Sequence, residues 1–281
     1  MKTNLTRLAQ RPAPIRLGYF IFTLLMLWLP IAVPMYLLVR DANLVSIVTM
    51  VALYIEFIFL ARLWGKRVYN QTEVFHDFGL QFTPSNRIDL LGGFTVGLTS
   101  ISILFLLEGW LGWLVWQPAR ISFVQLILEA IIIGLATGFA EELFFRGWLL
   151  SELQRDYSQA TALWVNVMIF AVSHFIRPLE AILRTWTQFI GLVLLALTLV
   201  WGKRWREGRL GLPMGLHGGL VCGWYIINVG QLIKYTGQVP EWVTGVNNNP
   251  LAGVMGLLFL SLLGWQCRVL LEISQNREIL G

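Results

Sequence analysis

Residues 123–150 read FVQLILEAIIIGLATGFAEELFFRGWLL, an apolar run broken near its end by Glu141, Glu142 and Arg146. About twenty apolar residues suffice to cross a bilayer core as one helix. A helix is the expected form, because lipid offers no partner to exposed backbone groups. Each ionised side chain at the bilayer centre costs about 2.5–3.5 kcal/mol on insertion scales, so the three together would cost roughly 7–10 kcal/mol if unrelieved. A run that keeps all three has to pair them. Glu142 and Arg146 are four residues apart, share a helix face and are expected to form an ion pair. Glu141 is turned about 100° away from Glu142, which leaves it free to face a wetter cavity and to serve as a general base.

Working outward, seven further apolar runs appear, over residues 17–39, 44–63, 90–116, 160–175, 186–201, 210–232 and 251–270. Hydrophobic residues make up 56% of the 281, charged residues only 13%, and mean hydropathy is +0.65. The pattern predicts an all-α, polytopic transmembrane helix bundle with about eight transmembrane helices. There is no internal repeat, no low-complexity tract and no long linker, so residues 1–281 are read as a single membrane domain.

The net charge of +5 is explained by topology rather than by nucleic acid. With the N-terminus inside and eight crossings, and with Arg146 set aside as lying in the membrane, fifteen of the 21 Lys and Arg residues fall on inside segments, among them Lys2, Arg16, Arg62, Lys66, Lys203 and Arg277. The outside keeps Arg40, Arg120, Arg177, Arg184 and Lys234. That asymmetry follows the positive-inside rule and places both termini in the cytoplasm. The first run is too long for a cleavable signal peptide, contains Pro30 and Pro34, and has no small-residue cleavage site after it. Cys222 and Cys267 lie within apolar runs and are read as free, buried thiols. The aromatic-spaced segment 64–89 is expected to lie along the membrane surface.

Two histidines belong with the carboxylates. His174 closes Phe170-Ala-Val-Ser-His174, and His217 sits in Gly215-Leu-His217-Gly-Gly. Glu141 and His174 are near-equidistant from the polar turn around Tyr157 and Ser158, so an antiparallel hairpin sets them at one height. His217 is only about 10 Å into its helix, whereas Glu141 and His174 are over about 20 Å from their turn. The three reach one level only if the hairpin projects past the start of the His217 helix by about two turns. Gly134 and Gly138 form a small-xxx-small pair for close helix packing. Gly211, Gly215, Gly218 and Gly219 are read the same way, with open space beside His217. Glu56, Glu108 and Glu129 have no obvious partner nearby in sequence and are read as structural or interfacial.

Glu141-Glu142-Leu-Phe-Phe-Arg146 resembles the EExxxR motif of the CAAX-protease and bacteriocin-processing (CPBP, or Abi) family of intramembrane endopeptidases. The segment from Phe170 to His174 resembles its FxxxH motif, and His217 the histidine of its last motif. The resemblance covers residues 121–232. It implies a peptidase in which Glu141 activates water with His174, Glu142 and Arg146 support the site, and His217 binds or polarises the scissile carbonyl. The implied partner is a membrane-associated protein or peptide within the lipid bilayer, in some family members a prenylated CAAX protein. One position departs from the pattern. Where the family has Asn or Asp four residues after the last histidine, this chain has Val221, which cannot donate to an oxyanion. A backbone group or a water at Gly218 or Gly219 is the expected substitute.

Zinc is the alternative chemistry, with Glu141, Glu142, His174 and His217 as the candidate ligands. The Glu142–Arg146 pairing favours a metal-free glutamate mechanism and no cofactor. Two other functions fit a chain of this kind: a non-catalytic membrane binding, immunity or scaffold protein, favoured by Val221, and a proton-coupled transporter using Glu56, Glu108 and Glu129. Transporters commonly show paired halves, and no such symmetry is present.

Overall fold

The computed structural model describes residues 7–280, and Lys2 of the charge pattern lies outside the described residues. Each of the eight apolar runs becomes a helix. These are α1 (Ala13–Leu38), α2 (Ala42–Val68), α3 (Pro84–Trp110), α4 (Phe123–Glu142), α5 (Gln159–Ser173), α6 (Gln188–Trp205), α7 (Gly211–Val229) and α8 (Val254–Leu280). Local chemistry sets several starts. Asp41 accepts from the backbone N–H groups of Asn43 and Leu44, Thr83 from that of Asn86, and Ser158 from that of Thr161. The first N–H of α7 finds its acceptor on another helix, in the Asn86 side chain 2.7 Å from Gly211 N.

The fold is an all-α membrane bundle, but length and composition support fewer crossings than eight. Five helical segments are long and apolar enough: α1, α2, α3, Phe123–Gln154 and Val254–Arg277. A sixth is reached if the short helix Leu179–Thr185 and α6, bent by 76° to each other, count as one span. α5 has 15 residues, about 22 Å of helix, short of a bilayer core of about 30 Å. α7 is not among these spans either, and it is walled in by α3 and α4. Outward-facing apolar side chains such as Leu37, Trp110 and Ile176 are 77%, 82% and 85% exposed, as expected of a lipid-facing surface.

α7 is the hub. A Cβ at Gly93 or Gly97 of α3 would stand 2.4 and 2.3 Å from the carbonyl oxygens of Leu212 and Leu216. A Cβ at Gly215 or Gly219 would likewise meet Leu90 and Phe94 oxygens at 2.0 and 2.2 Å. On the other side, Gly138 faces Met214 O and Gly134 faces Gly218 O, at 2.4 and 2.5 Å from the hypothetical Cβ. Backbones come this close only where side chains are missing, and within lipid such packing is a principal source of helix association. The glycine faces of α7 are therefore filled by α3 and α4, and the open space beside His217 lies on another face of the helix. Gly138→Ala is expected to cost about 1–3 kcal/mol by overpacking against the Met214 carbonyl; a thermal unfolding shift of the purified protein measures it.

The same contacts set the heights. Gly147 is level with Leu210, whose Cδ1 would lie 3.5 Å from a Cβ there. Residues 148–154, about two turns, thus run past the start of α7, as the levelling of Glu141, His174 and His217 requires.

α1 and α2 attach to this centre at two points. Phe20 stacks on Trp148 with ring centroids 4.1 Å apart and meets Phe57 and Trp64 edge-on. Nearer the chain start, buried Arg16 bonds Glu152 at 3.1 Å and Asp156 at 3.0 Å, while the Tyr69 hydroxyl donates to Glu152 at 2.6 Å. Burial, with Glu152 beside it, holds the Tyr69 phenol above its ordinary pKa, so it remains a donor. The segment 64–89 does not lie wholly on the membrane surface. Val74 and Phe78 are buried in the core, and of the spaced aromatic residues Phe82, 81% exposed, points away. Gly79 turns the chain at positive φ so that Phe78 can face inward. At the opposite end a small antiparallel pair, β1 (Leu114–Trp116) with β2 (Ile233–Tyr235), ties the loop after α3 to the loop after α7.

Candidate active site

The ion pair expected from sequence forms inside the bundle. Arg146 Nη1 lies 3.0 Å from Glu142 Oε1, and both side chains are fully buried. The guanidinium carbon also stands 4.2 Å from the centroid of the Phe170 ring, a contact that favours a desolvated cation. The same Glu142 Oε1 takes a second partner, His217 Nδ1, at 2.8 Å. One carboxylate oxygen therefore bridges a guanidinium and an imidazole. This places a role on Glu142 beyond support of Arg146: it orients the His217 ring.

Glu141 is separate, as the 100° rotation predicts. Its side chain is 31% exposed and its Oε2 has no hydrogen-bond partner in the protein. His174 Nε2 is 3.8 Å from that oxygen and His217 Nε2 is 4.0 Å from it. Both separations are too long for a direct hydrogen bond and suit one with a water between. The tautomer of His174 follows from its other nitrogen. Nδ1 is 2.8 Å from Phe170 O, and a carbonyl oxygen can only accept, so the neutral ring presents a bare Nε2 toward Glu141. The FxxxH spacing thus has a local purpose: the helix carbonyl four residues back fixes the ring.

The backbone carrying Arg146 is unusual. Leu143–Leu149 is a π-helical segment continued by the α-helical turn Leu150–Gln154. π segments disturb the regular ladder of helix bonds, and here two successive carbonyls are claimed by side chains. Phe145 O accepts from Asn166 Nδ2 at 2.7 Å, and Arg146 O accepts from Lys203 Nζ at 2.7 Å. Lys203 also reaches Phe78 O at 3.0 Å. Neither Asn166 nor Lys203 stood out in the sequence. Asn166 had a legible signal, as the single amide within an apolar run; Lys203 looked like one more charge of the inside cluster. Lys203→Met strips both carbonyls of their donor. It is expected to cost about 1–3 kcal/mol for each carbonyl left unsatisfied and to lower site occupancy of Arg146. Thermal unfolding alongside activity checks this.

Glu141, His174 and His217 line one cavity of about 280 Å³ together with Val221. Val221 thus occupies the cavity wall four residues after His217, where a donor was expected. Gly218 and Gly219 are pressed against Gly134 and Phe94 of the neighbouring helices and are not among the residues that line the cavity. Cys222 and Cys267 are free and buried. Glu129 is partnered after all, by Gln125 at 2.8 Å and Tyr225 at 3.1 Å, and Glu108 by Tyr235 at 3.1 Å. The i,i+4 relation of Gln125 to Glu129 was visible in sequence; the tyrosines come from remote segments. Glu56 Oε2 has no partner.

Among the described residues no three His, Cys, Asp or Glu side chains are grouped as a metal ion requires. Glu142, one of the four candidate zinc ligands, has its Oε1 engaged by Arg146 and His217. Glu142 Oε1 is therefore not free to serve as a fourth ligand while it holds these two partners.

Residues 123–223 match the family model of Rce1-like type II CAAX prenyl endopeptidases. No curated protein and no solved structure gives a significant match. The matched stretch begins at the start of α4 and ends six residues past His217, so it contains all five motif residues. Over residues 123–223 the chain is therefore similar to the type II CAAX prenyl endopeptidases, the family grouping that its three motifs indicated.

Proposed function

We propose that this protein is an intramembrane endopeptidase that hydrolyses a peptide bond in a membrane-associated, CAAX-like substrate, with Glu141 as the base. The observation that carries this reading is the unpartnered Glu141 Oε2 facing two imidazole nitrogens at 3.8 and 4.0 Å. A water held there donates one hydrogen to Glu141 and the other to His174 Nε2. Glu141 takes the first proton as the water oxygen attacks the scissile carbonyl carbon. The protonated Glu141 then delivers that proton to the departing amine nitrogen, leaving a carboxyl on one product and an amine on the other. His217, held through Nδ1 by Glu142, presents Nε2 to the same space; when that nitrogen carries a hydrogen it donates to the oxyanion. Arg146 keeps Glu142 ionised and in place.

The mechanism needs no metal. Its support is the commitment of Glu142 to Arg146 and His217, which leaves Glu141 as the free carboxylate. The substrate approaches within the bilayer, and by the charge asymmetry both termini face the cytoplasm. Val221 favours a second reading, a membrane protein that binds peptides or partners without cutting them.

Comparing protein termini in membranes that hold equal amounts of wild type or Glu141→Ala separates the two. New termini that depend on Glu141 are expected and identify the substrate. Identical termini with both proteins folded, together with uncut co-expressed CAAX reporters, give the lead to the binding reading.

A further inference from the structure

The cavity that holds the catalytic groups is a shaft with two polar ends. Its walls include one face each of α6, α7 and α8, with Ser100, Ile101 and Leu104 of α3 and Thr137 of α4 beside them. Leu195, Leu192 and Gln188 follow one another on α6, His217, Val221 and Trp224 on α7, and Leu263, Leu260 and Gly256 on α8. Each set spans seven residues, about 10 Å of helix. α6 and α8 run opposite to α7, so all three descend together from Gln188, Trp224 and Gly256 to the level of His217. Glu141 and His174 close that end. Gln188 and Asn249 close the other.

The far end is built as firmly as the near one. A Cβ on Gly191 would lie 2.4 Å from Leu251 O, so this glycine lets the loop 249–251 rest directly on α6. Gln188 is three residues before Gly191 and shares its face, which brings the two amides to one rim. Asn249 Oδ1 accepts from Leu251 N at 2.9 Å, and this leaves its Nδ2 as the free donor. Among the described residues that line the shaft there is no Lys or Arg.

Resting on the peptidase reading, we infer that the shaft receives an extended, apolar segment of the substrate peptide on one side of the scissile bond, whose main-chain amides are gripped by Gln188 and Asn249. Its length of about 10 Å accommodates about three extended residues. An amide pair suits a peptide group, which offers both a donor and an acceptor. A hydrocarbon chain in the same place would cover both half-buried amides without pairing them, and a terminal carboxylate would meet no Lys or Arg in the lining. The segment accordingly needs no free C-terminus, and the lipid of an anchored substrate lies outside the shaft.

The test uses the full-length Glu141→Gln protein in liposomes and three photoprobes. Each is an S-farnesyl cysteine followed by three apolar residues. The first carries benzoylphenylalanine in the peptide and a C-terminal carboxamide, the second the same with a free acid, and the third has its benzophenone on the farnesyl chain. The two peptide-borne probes are expected to label Leu192 or Leu260 equally, and the lipid-borne probe to label neither. Gln188→Leu with Asn249→Leu is expected to reduce that labelling roughly tenfold, from two lost hydrogen bonds. Leu195→Trp, which fills the shaft, should abolish it with the protein still folded. Shaft labelling by the lipid-borne probe alone, labelling that favours the free acid roughly tenfold, or no shaft labelling at all overturns the inference. Cleavage by the wild type is scored separately. Shaft labelling without Glu141-dependent cleavage removes the peptidase reading and keeps the shaft; Glu141-dependent cleavage without shaft labelling does the reverse.

Discussion

Glu141→Gln is expected to lower kcat for peptide cleavage by roughly 10²–10⁴-fold, the range for loss of a positioned general base, while the protein unfolds at an unchanged temperature. The second half of that expectation is the informative one. Glu141 Oε2 has no hydrogen-bond partner in the protein and the side chain is 31% exposed, so the amide breaks no hydrogen bond and alters only the longer contacts to His174 and His217. Gln can still hold a water between itself and His174 but cannot accept its proton. Cleavage assays on the purified protein with its identified substrate, paired with thermal unfolding, read both quantities. An active Glu141→Gln protein would exclude Glu141 as the base.

Glu142→Ala should behave in the opposite sense and fail first in stability. It leaves Arg146 fully buried with no carboxylate and frees the His217 ring. Removing one partner of a buried pair costs about 3–5 kcal/mol, enough to deplete the folded population of a typical domain. The informative comparison is the double variant Glu142→Leu with Arg146→Met. Replacing both charges by apolar groups of similar size is often neutral or stabilising, so this variant should recover most of the lost stability. It should nevertheless stay inactive, because His217 Nδ1 no longer has its acceptor at 2.8 Å. Recovered stability together with recovered cleavage would show that the Glu142–His217 contact is dispensable.

The asymmetry between the two carboxylates follows from the rotation of about 100° between them, and the π segment that begins next holds the partner of the buried one. Leu143–Leu149 starts directly after Glu142, and it carries Arg146 and Trp148 into the centre of the bundle, where Asn166 and Lys203 take up the exposed carbonyls. An ordinary helix offers the same i,i+4 pair but has no need of those two donors. The site is thus held from α5 and α6 as well as from α4.

The amino-acid sequence by itself determined the helical class, the eight apolar segments, the Glu142–Arg146 pair and the meeting of Glu141 with His174. Those features are local or nearly so: apolar run length, a four-residue spacing, and the symmetry of one hairpin about its turn. The glycine pair Gly134 and Gly138 was legible for the same reason, as a missing side chain on one helix face. Only the tertiary structure decided that His217 is bound through Nδ1 to Glu142, that Lys203 and Asn166 hold the π segment, that α7 is enclosed by α3 and α4, and that the cavity runs on from the catalytic groups to Gln188 and Asn249. Each of these joins residues far apart in the chain, and their meeting depends on the register in which glycine-lined helices slide together. That register is a property of packed pairs of backbones, and no single run of sequence carries it.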